Sequence, residues 1–177
     1  MKTGILRVTV ILLVITLTGC SGALALRVKS GSSMIFGYAD GGDLGDTIGA
    51  KIGHTPTSTA MRGRGTGKVF YILNVMPGDY FINEVKFGIL GTKVGRIKAA
   101  PQEPGRLWSI RLKRPGFYYM GAIKMIKEPG GMRDYRSMPI QGPGKFEALD
   151  AVYEKLKDTP WGDKIEKELQ RLETAGY

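Results

Sequence analysis

Twenty-six lysines and arginines stand against 16 aspartates and glutamates in a chain of 177 residues, with 42% hydrophobic and 24% charged content. That balance belongs to an ordinary soluble globular protein of one domain plus an appendage, long enough to bury a core. One Cys and one His exclude an intramolecular disulfide and a zinc cluster of the usual kind, and 26 glycines point to turns and so to β structure.

The chain opens on a segment unlike the rest. Lys2 and Arg7 precede an unbroken apolar or β-branched run, VTVILLVITL, from Val8 to Leu17. The run falls short of the roughly 20 residues that cross a bilayer and matches the apolar region of an export signal. It ends in Leu17-Thr18-Gly19-Cys20, which resembles the signal of bacterial lipoproteins: Leu, a small residue, Gly or Ala, then the Cys that becomes the mature N-terminus. The resemblance implies cleavage after the motif Leu17, Thr18, Gly19 and lipidation of Cys20, with acyl chains such as palmitate holding the chain on a membrane. Ser21 follows with no Asp, the pattern that in Gram-negative lipoproteins goes with transfer to the outer membrane. Loss of the leader removes Lys2 and Arg7 and leaves 24 basic against 16 acidic residues. For an exported chain the anionic neighbours are lipid headgroups, lipopolysaccharide or cell-wall polymer rather than nucleic acid. The plainer reading is a basic solvated surface with no specific partner.

Beyond residue 20 the texture is short runs of β-branched and aromatic residues broken by Gly and Pro. ALALRVKSG (from Ala23) and SMIFGYA (from Ser33) read as the first strands. The glycine-rich stretch from Asp40 to Gly67 predicts one strand, Thr47 to Ile52, between flexible loops. KVFYILNV (Lys68 to Val75) and YFINEVKF (Tyr80 to Phe87) are stronger, and the short turn between them predicts a hairpin. GTKVGRIKAA is weaker. In RLWSIRLK, Trp108, Ile110 and Leu112 alternate with Ser109, Arg111 and Lys113. Phe117 to Ile126 closes the series, and EPGGMRDYRSMPIQGPG reads as an exit linker. The period then changes. Phe146, Leu149, Val152, Tyr153 and Leu156 recur at helical steps, and so do Trp161, Ile165, Leu169 and Leu172. Thr159 suits an N-cap, Pro160 the first helical position and Gly176 the closing one. The rival reading of these helices is a partner-binding or membrane-surface helix; the mixed Lys and Glu of the polar face counts against the membrane role. The expected organisation is a leader over 1–19, a lipidated N-terminus and first strand over 20–30, an antiparallel β-sandwich over 31–143, and a C-terminal helical pair over 144–177 packed on it.

Motifs that carry chemistry are thin. RGRGTGKV (Arg62 to Val69) resembles the end of a phosphate loop, but Arg62 stands where Gly is needed, Val69 follows the Lys, and a strand comes next. Asp40, Asp43 and Asp46 are spaced by three, unlike calcium loops, and suit a turn where Asp and Gly satisfy backbone groups. His54 has no Cys or His cluster and no Gly-x-Ser-x-Gly elbow to work with. Glu84 with Glu103 or Asp79 is the carboxylate pair an envelope hydrolase would use. Arg96, Lys98, Arg111, Lys113 and Lys124 are candidates for one electropositive face toward an anionic ligand; their plainer reading is the solvated side of a half-buried sheet. No catalytic residue, metal or cofactor is assigned.

One pattern recurs. MPGDYFINEVKF (Met76 to Phe87) is echoed by RPGFYYMGAIKM (Arg114 to Met125). Pro and then Gly suit a type II turn, and the Tyr that follows can cover the end of a sandwich while its hydroxyl bonds nearby backbone, as in a tyrosine corner. Tyr80 and Tyr118 are therefore expected as core and corner residues. After them Phe81, Val85 and Phe87 share one parity, and Tyr119, Ile123 and Met125 another. Together these residues, with the TPWGDKIEKEL end, resemble uncharacterised bacterial lipoproteins that carry a prealbumin-like or carboxypeptidase-regulatory-like β-sandwich. The resemblance implies a non-enzymatic binding or scaffold module on the periplasmic side of the envelope. An accessory subunit of a transport or secretion assembly, docking on an envelope protein, is the second expectation.

Overall fold

The computed structural model describes residues 26–55, 61–89, 92–98, 109–127 and 135–177. Ten strands come first: β1 (Ser33–Asp40), β2 (Asp46–Thr55), β3 (Met61–Arg62), β4 (Arg64–Thr66), β5 (Val69–Val75), β6 (Gly78–Ile89), β7 (Thr92–Lys98), β8 (Ser109–Leu112), β9 (Phe117–Lys127) and β10 (Tyr135–Ile140). Helices α1 (Lys145–Leu156) and α2 (Gly162–Thr174) follow. The strands make two sheets. One has the order β10-β9-β1-β5-β4; the other runs β3-β2-β6-β7, with β8 also paired to β6. The fold is mainly β and sandwich-like, with a C-terminal helical pair.

Side chains from the facing sides of the two sheets fill one core. Ile35, Phe70, Ile72 and Ile123 come from the first sheet, and Ile52, Tyr80, Val85 and Phe87 from the second. The first sheet carries apolar residues on its other side too, because β1 and β5 read as nearly continuous hydrophobic runs. Met34, Phe36, Val69 and Tyr71 form a second core there with Leu149, Val152, Leu156, Trp161, Ile165 and Leu172 of the helical segment. The molecule is thus three layers, with the first sheet in the middle. Edge-on contact between Phe117 and Trp161, ring centroids 6.3 Å apart, fastens the joint between the helices to that sheet.

Five expectations need correction. β1 and β9 pair in parallel, so the sandwich is not antiparallel throughout. β5 and β6 lie in different sheets and form no hairpin. Residues 26–32 contain no strand, whereas Tyr135–Ile140, inside the expected linker, is strand β10. Helix α2 begins at Gly162, and Thr159 sits in the preceding turn with its hydroxyl donating to the Leu156 carbonyl at 2.6 Å. The far end of α2 closes as expected: Gly176 (φ 82°) donates to Glu173 and Tyr177 to Leu172, the two bonds of a Schellman motif.

Candidate functional site

Both copies of the Pro-Gly-x-Tyr sequence lie where the chain changes sheet. Residues 76 and 77 lead from β5 to β6, and residues 113–116 lead from β8 to β9. In each, the Tyr hydroxyl donates to the carbonyl of the residue before Pro: Tyr80 to Met76 at 2.7 Å and Tyr118 to Arg114 at 2.7 Å. A carbonyl at a sheet crossing has no ladder partner, and the hydroxyl supplies one. Tyr80 is buried in the inter-sheet core and Tyr118 packs against it half-buried, so both are the corner residues their sequence implied. Burial pushes the Tyr80 hydroxyl above the usual phenol range, which keeps it a donor. Neither turn is type II. Gly78 has φ 155° and Gly116 is not among the glycines at positive φ, whereas a type II turn wants about +80°. Gly is needed at position 78 for another reason: the His54 ring stacks on Tyr80 at 4.6 Å, and a Cβ on Gly78 would run into the imidazole.

The two corners occupy the same end of the sandwich, since Ser33 pairs with Val75, Met34 with Phe117, and Gly78 with Leu112. The segment entering β1 is fastened there as well. Asn74, at φ 60°, donates from Nδ2 to the Arg27 carbonyl (2.9 Å) and accepts from the Lys29 amide (2.8 Å). Asn tolerates this left-handed backbone better than most residues. Ser33 Oγ accepts from the Gly116 amide at 3.2 Å. Around these bonds Arg27, Lys29, Lys113 and Arg114 are exposed, as are Met76 (56%), Pro77 and Pro115. Next to them Arg111 grips Asp79 with two hydrogen bonds, which hold the Asp79 carboxyl below the usual carboxylate range. A cleft of about 510 Å³ opens beside the second corner, between Arg114, Phe117 and Tyr118 on one side and Lys145, Glu168 and Arg171 on the other. Its carboxylate is committed: Glu168 accepts from Arg171 (2.7 and 2.9 Å) and from Lys145 (2.7 Å), and its pKa is lowered, first by Arg171.

The residues singled out for a basic face divide between the two sheets. Arg96 and Lys98 lie in β7, opposite Lys86 and Glu84 of β6. Arg111 pairs with Asp79 lower on β6, and Lys113 follows it at the corner end. Lys124 is in the other sheet, opposite Asp40 and Met138 and toward the other end of the molecule. The five do not share one face. Cys20, with Leu17, Thr18 and Gly19, lies outside the described residues, as do Trp108 and Glu103. Glu84 is buried with Lys51 at 3.7 Å and Lys86 at 3.9 Å, while Asp79 is held by Arg111, so these carboxylates serve separate ion pairs. Asp40 accepts from the Gly42 amide at 3.1 Å and pairs with Lys68, which is turn chemistry. Among the described residues no group of three or more His, Cys, Asp or Glu converges as a metal would require.

The fold and its corners define a two-sheet β-sandwich with a helical cover. No family model, curated protein or solved structure matches this chain.

Proposed function

We propose that the protein is a lipid-anchored component of the bacterial cell envelope, held on a membrane through Cys20 and facing the periplasm, where it serves as a non-enzymatic binding or scaffold module. The observation that carries this reading is the order of events along the chain. A basic-then-apolar leader ends in Leu17-Thr18-Gly19-Cys20, and among the described residues the chain is already fastened to the sandwich at Arg27, seven positions on. Outer-membrane placement follows from Ser21 by the same resemblance. We read the sandwich further as prealbumin-like, supported by its two tyrosine corners; the parallel β1–β9 pair is a departure from that pattern.

The accessory-subunit reading has less behind it. A docking stripe on the last helix would be exposed, yet Trp161 and Ile165 are buried against the sheet and Leu169 is half-buried. A hydrolase would gather carboxylates in a cleft, and the one described beside the second corner holds a single Glu already paired to two cations.

Cell fractionation with mass spectrometry of the mature N-terminus tests the proposal. The native chain should partition with membranes and begin at an acylated Cys20; Cys20→Ala should abolish both the acyl mass and firm membrane attachment. A Cys20→Ala protein still resisting salt and carbonate washes would refute it.

A further inference from the structure

The corner end concentrates basic side chains that have no acidic partner among the described residues. At the corner end, Arg27, Lys29, Lys113 and Arg114 are exposed, and none of them takes part in an ion pair among the described residues. The acidic residues near them are already engaged: Asp79 by Arg111, and Glu168 by Lys145 and Arg171. The opposite end, where β1 finishes and β2 begins, mixes signs: Asp40, Asp43 and Asp46 stand there with Lys68, which pairs with Asp40, and with Lys124, opposite Asp40. The corner end also presents Met76, 56% exposed, between Asn74 and Pro77.

The tether leaves from the basic end. Arg27 is fixed there by Asn74 and stands seven positions after Cys20, at most about 25 Å of extended chain. β1 runs from Ser33 at the corner end to Asp40 at the other, roughly 23 Å at 3.3 Å per residue. Only a fully stretched tether could bring the opposite end to the bilayer, whereas a relaxed one leaves the corner end against it.

We infer that the corner end is a membrane-facing surface, on which Arg27, Lys29, Lys113 and Arg114 engage the phosphates of anionic phospholipid headgroups and Met76 dips among them. This rests on the anchoring of Cys20. The acyl chains supply attachment, and the basic end supplies orientation: the sandwich stands on its corners, with the helices alongside and the Asp40–Asp46 end directed away from the bilayer.

The test uses the lipidated full chain in vesicles of phosphatidylcholine alone or mixed with phosphatidylglycerol. Cys20 is consumed by its lipid, so a cysteine introduced as Met76→Cys or as Asp43→Cys takes a fluorophore by itself, read against a headgroup-linked quencher. The Met76 probe should be quenched in the anionic vesicles and released by raised salt, with the Asp43 probe unaffected. Lys29→Gln, Lys113→Gln and Arg114→Gln together should lower the docked-to-free ratio by on the order of 100-fold, at roughly fivefold per basic residue lost, while the chain stays on the vesicles. The charge-reversing Lys→Glu and Arg→Glu set should give a larger shift in the same direction. An acylated chain whose Met76 probe is quenched equally in neutral vesicles, or equally after charge reversal, overturns the inference and leaves the anchor standing. A Met76 probe shielded in native membranes but not in pure lipid names a protein as the occupant and overturns it too. A chain lacking the acyl group on Cys20 removes the anchor and the inference together.

Discussion

A tyrosine hydroxyl at each sheet crossing does work that no ladder can do, and the two sites differ in how much that is worth. Tyr80 is 3% exposed, and its bond to the Met76 carbonyl is part-buried. Removing the hydroxyl leaves that carbonyl without its partner, so Tyr80→Phe should destabilise the fold by about 1–1.5 kcal/mol in urea unfolding. Tyr118 makes the same bond in a more exposed setting, where water can replace the hydroxyl. Tyr118→Phe should therefore cost less than about 1 kcal/mol. An equal or reversed order would mean that burial does not set the worth of the hydroxyl bond, and no cost at either site would mean that only the rings matter. The corner chemistry was legible because the residues are local: Pro, Gly and Tyr fall within five positions. What the residues could not reveal was the change of sheet. A Pro-Gly turn between two apolar runs looks the same whether the second strand pairs with the first, as in a hairpin, or crosses to the facing sheet, as here.

Among the elements, the helical pair was the most legible part, since its period is carried by large apolar residues at three- and four-residue steps; Leu149, Val152, Leu156, Ile165 and Leu172 are all buried. β10 was the least legible. It is an edge strand with Pro139 in it and exposed residues at 137–139, joined to the sheet by backbone pairing with β9. Backbone pairing leaves no apolar alternation to read, and Pro is tolerated on an edge. Parity failed for a related reason. Phe36 stands opposite Tyr119 and Tyr38 opposite Ala122, so β9 carries a bulge near Gly121 (φ 97°) that reverses its faces. Tyr119 consequently faces the helices while Ile123 and Met125 face the other sheet, although the three share a parity. A bulge at Asn83 likewise puts Ile82 and Val85 on one side of β6, leaving Phe81 off that side. The helices themselves are clamped by Glu168, whose side chain is 14% exposed between Lys145 and Arg171. Because its folded pKa is depressed, its contribution is fully present above the unfolded value near 4.3 and is lost as pH falls through the lowered one. Glu168→Gln should thus cost roughly 0.5–1 kcal/mol at neutral pH and almost nothing once the pH has fallen below the lowered folded value, where the native Glu is itself protonated. Thermal melts across that range would show the two curves converging; a gap that persists in acid would assign the effect to packing and not to charge.

At the scale of the whole molecule, the middle sheet binds the other two layers into one unit. Neighbouring residues of β1 serve opposite cores, Met34 and Phe36 the helical side and Ile35 the sandwich side; β5 divides in the same way, with Val69 and Tyr71 against Phe70 and Ile72. A strand cannot release one set of side chains and keep the other in register, so damage on either side should be felt by both. Phe87→Ala opens a cavity between the sheets and should cost about 3–5 kcal/mol; Leu149→Ala opens one under α1 and should cost about 2–5 kcal/mol. Against a typical total of about 5–15 kcal/mol, either loss is large, and cooperativity decides its form. Both variants should unfold in one transition, with far-ultraviolet circular dichroism of the strands and fluorescence of Trp161, read in a Trp108→Phe background, moving together. If Leu149→Ala instead released the Trp161 signal at lower denaturant than the strand signal, the helices would be a separable cover and the three layers would not fold as one.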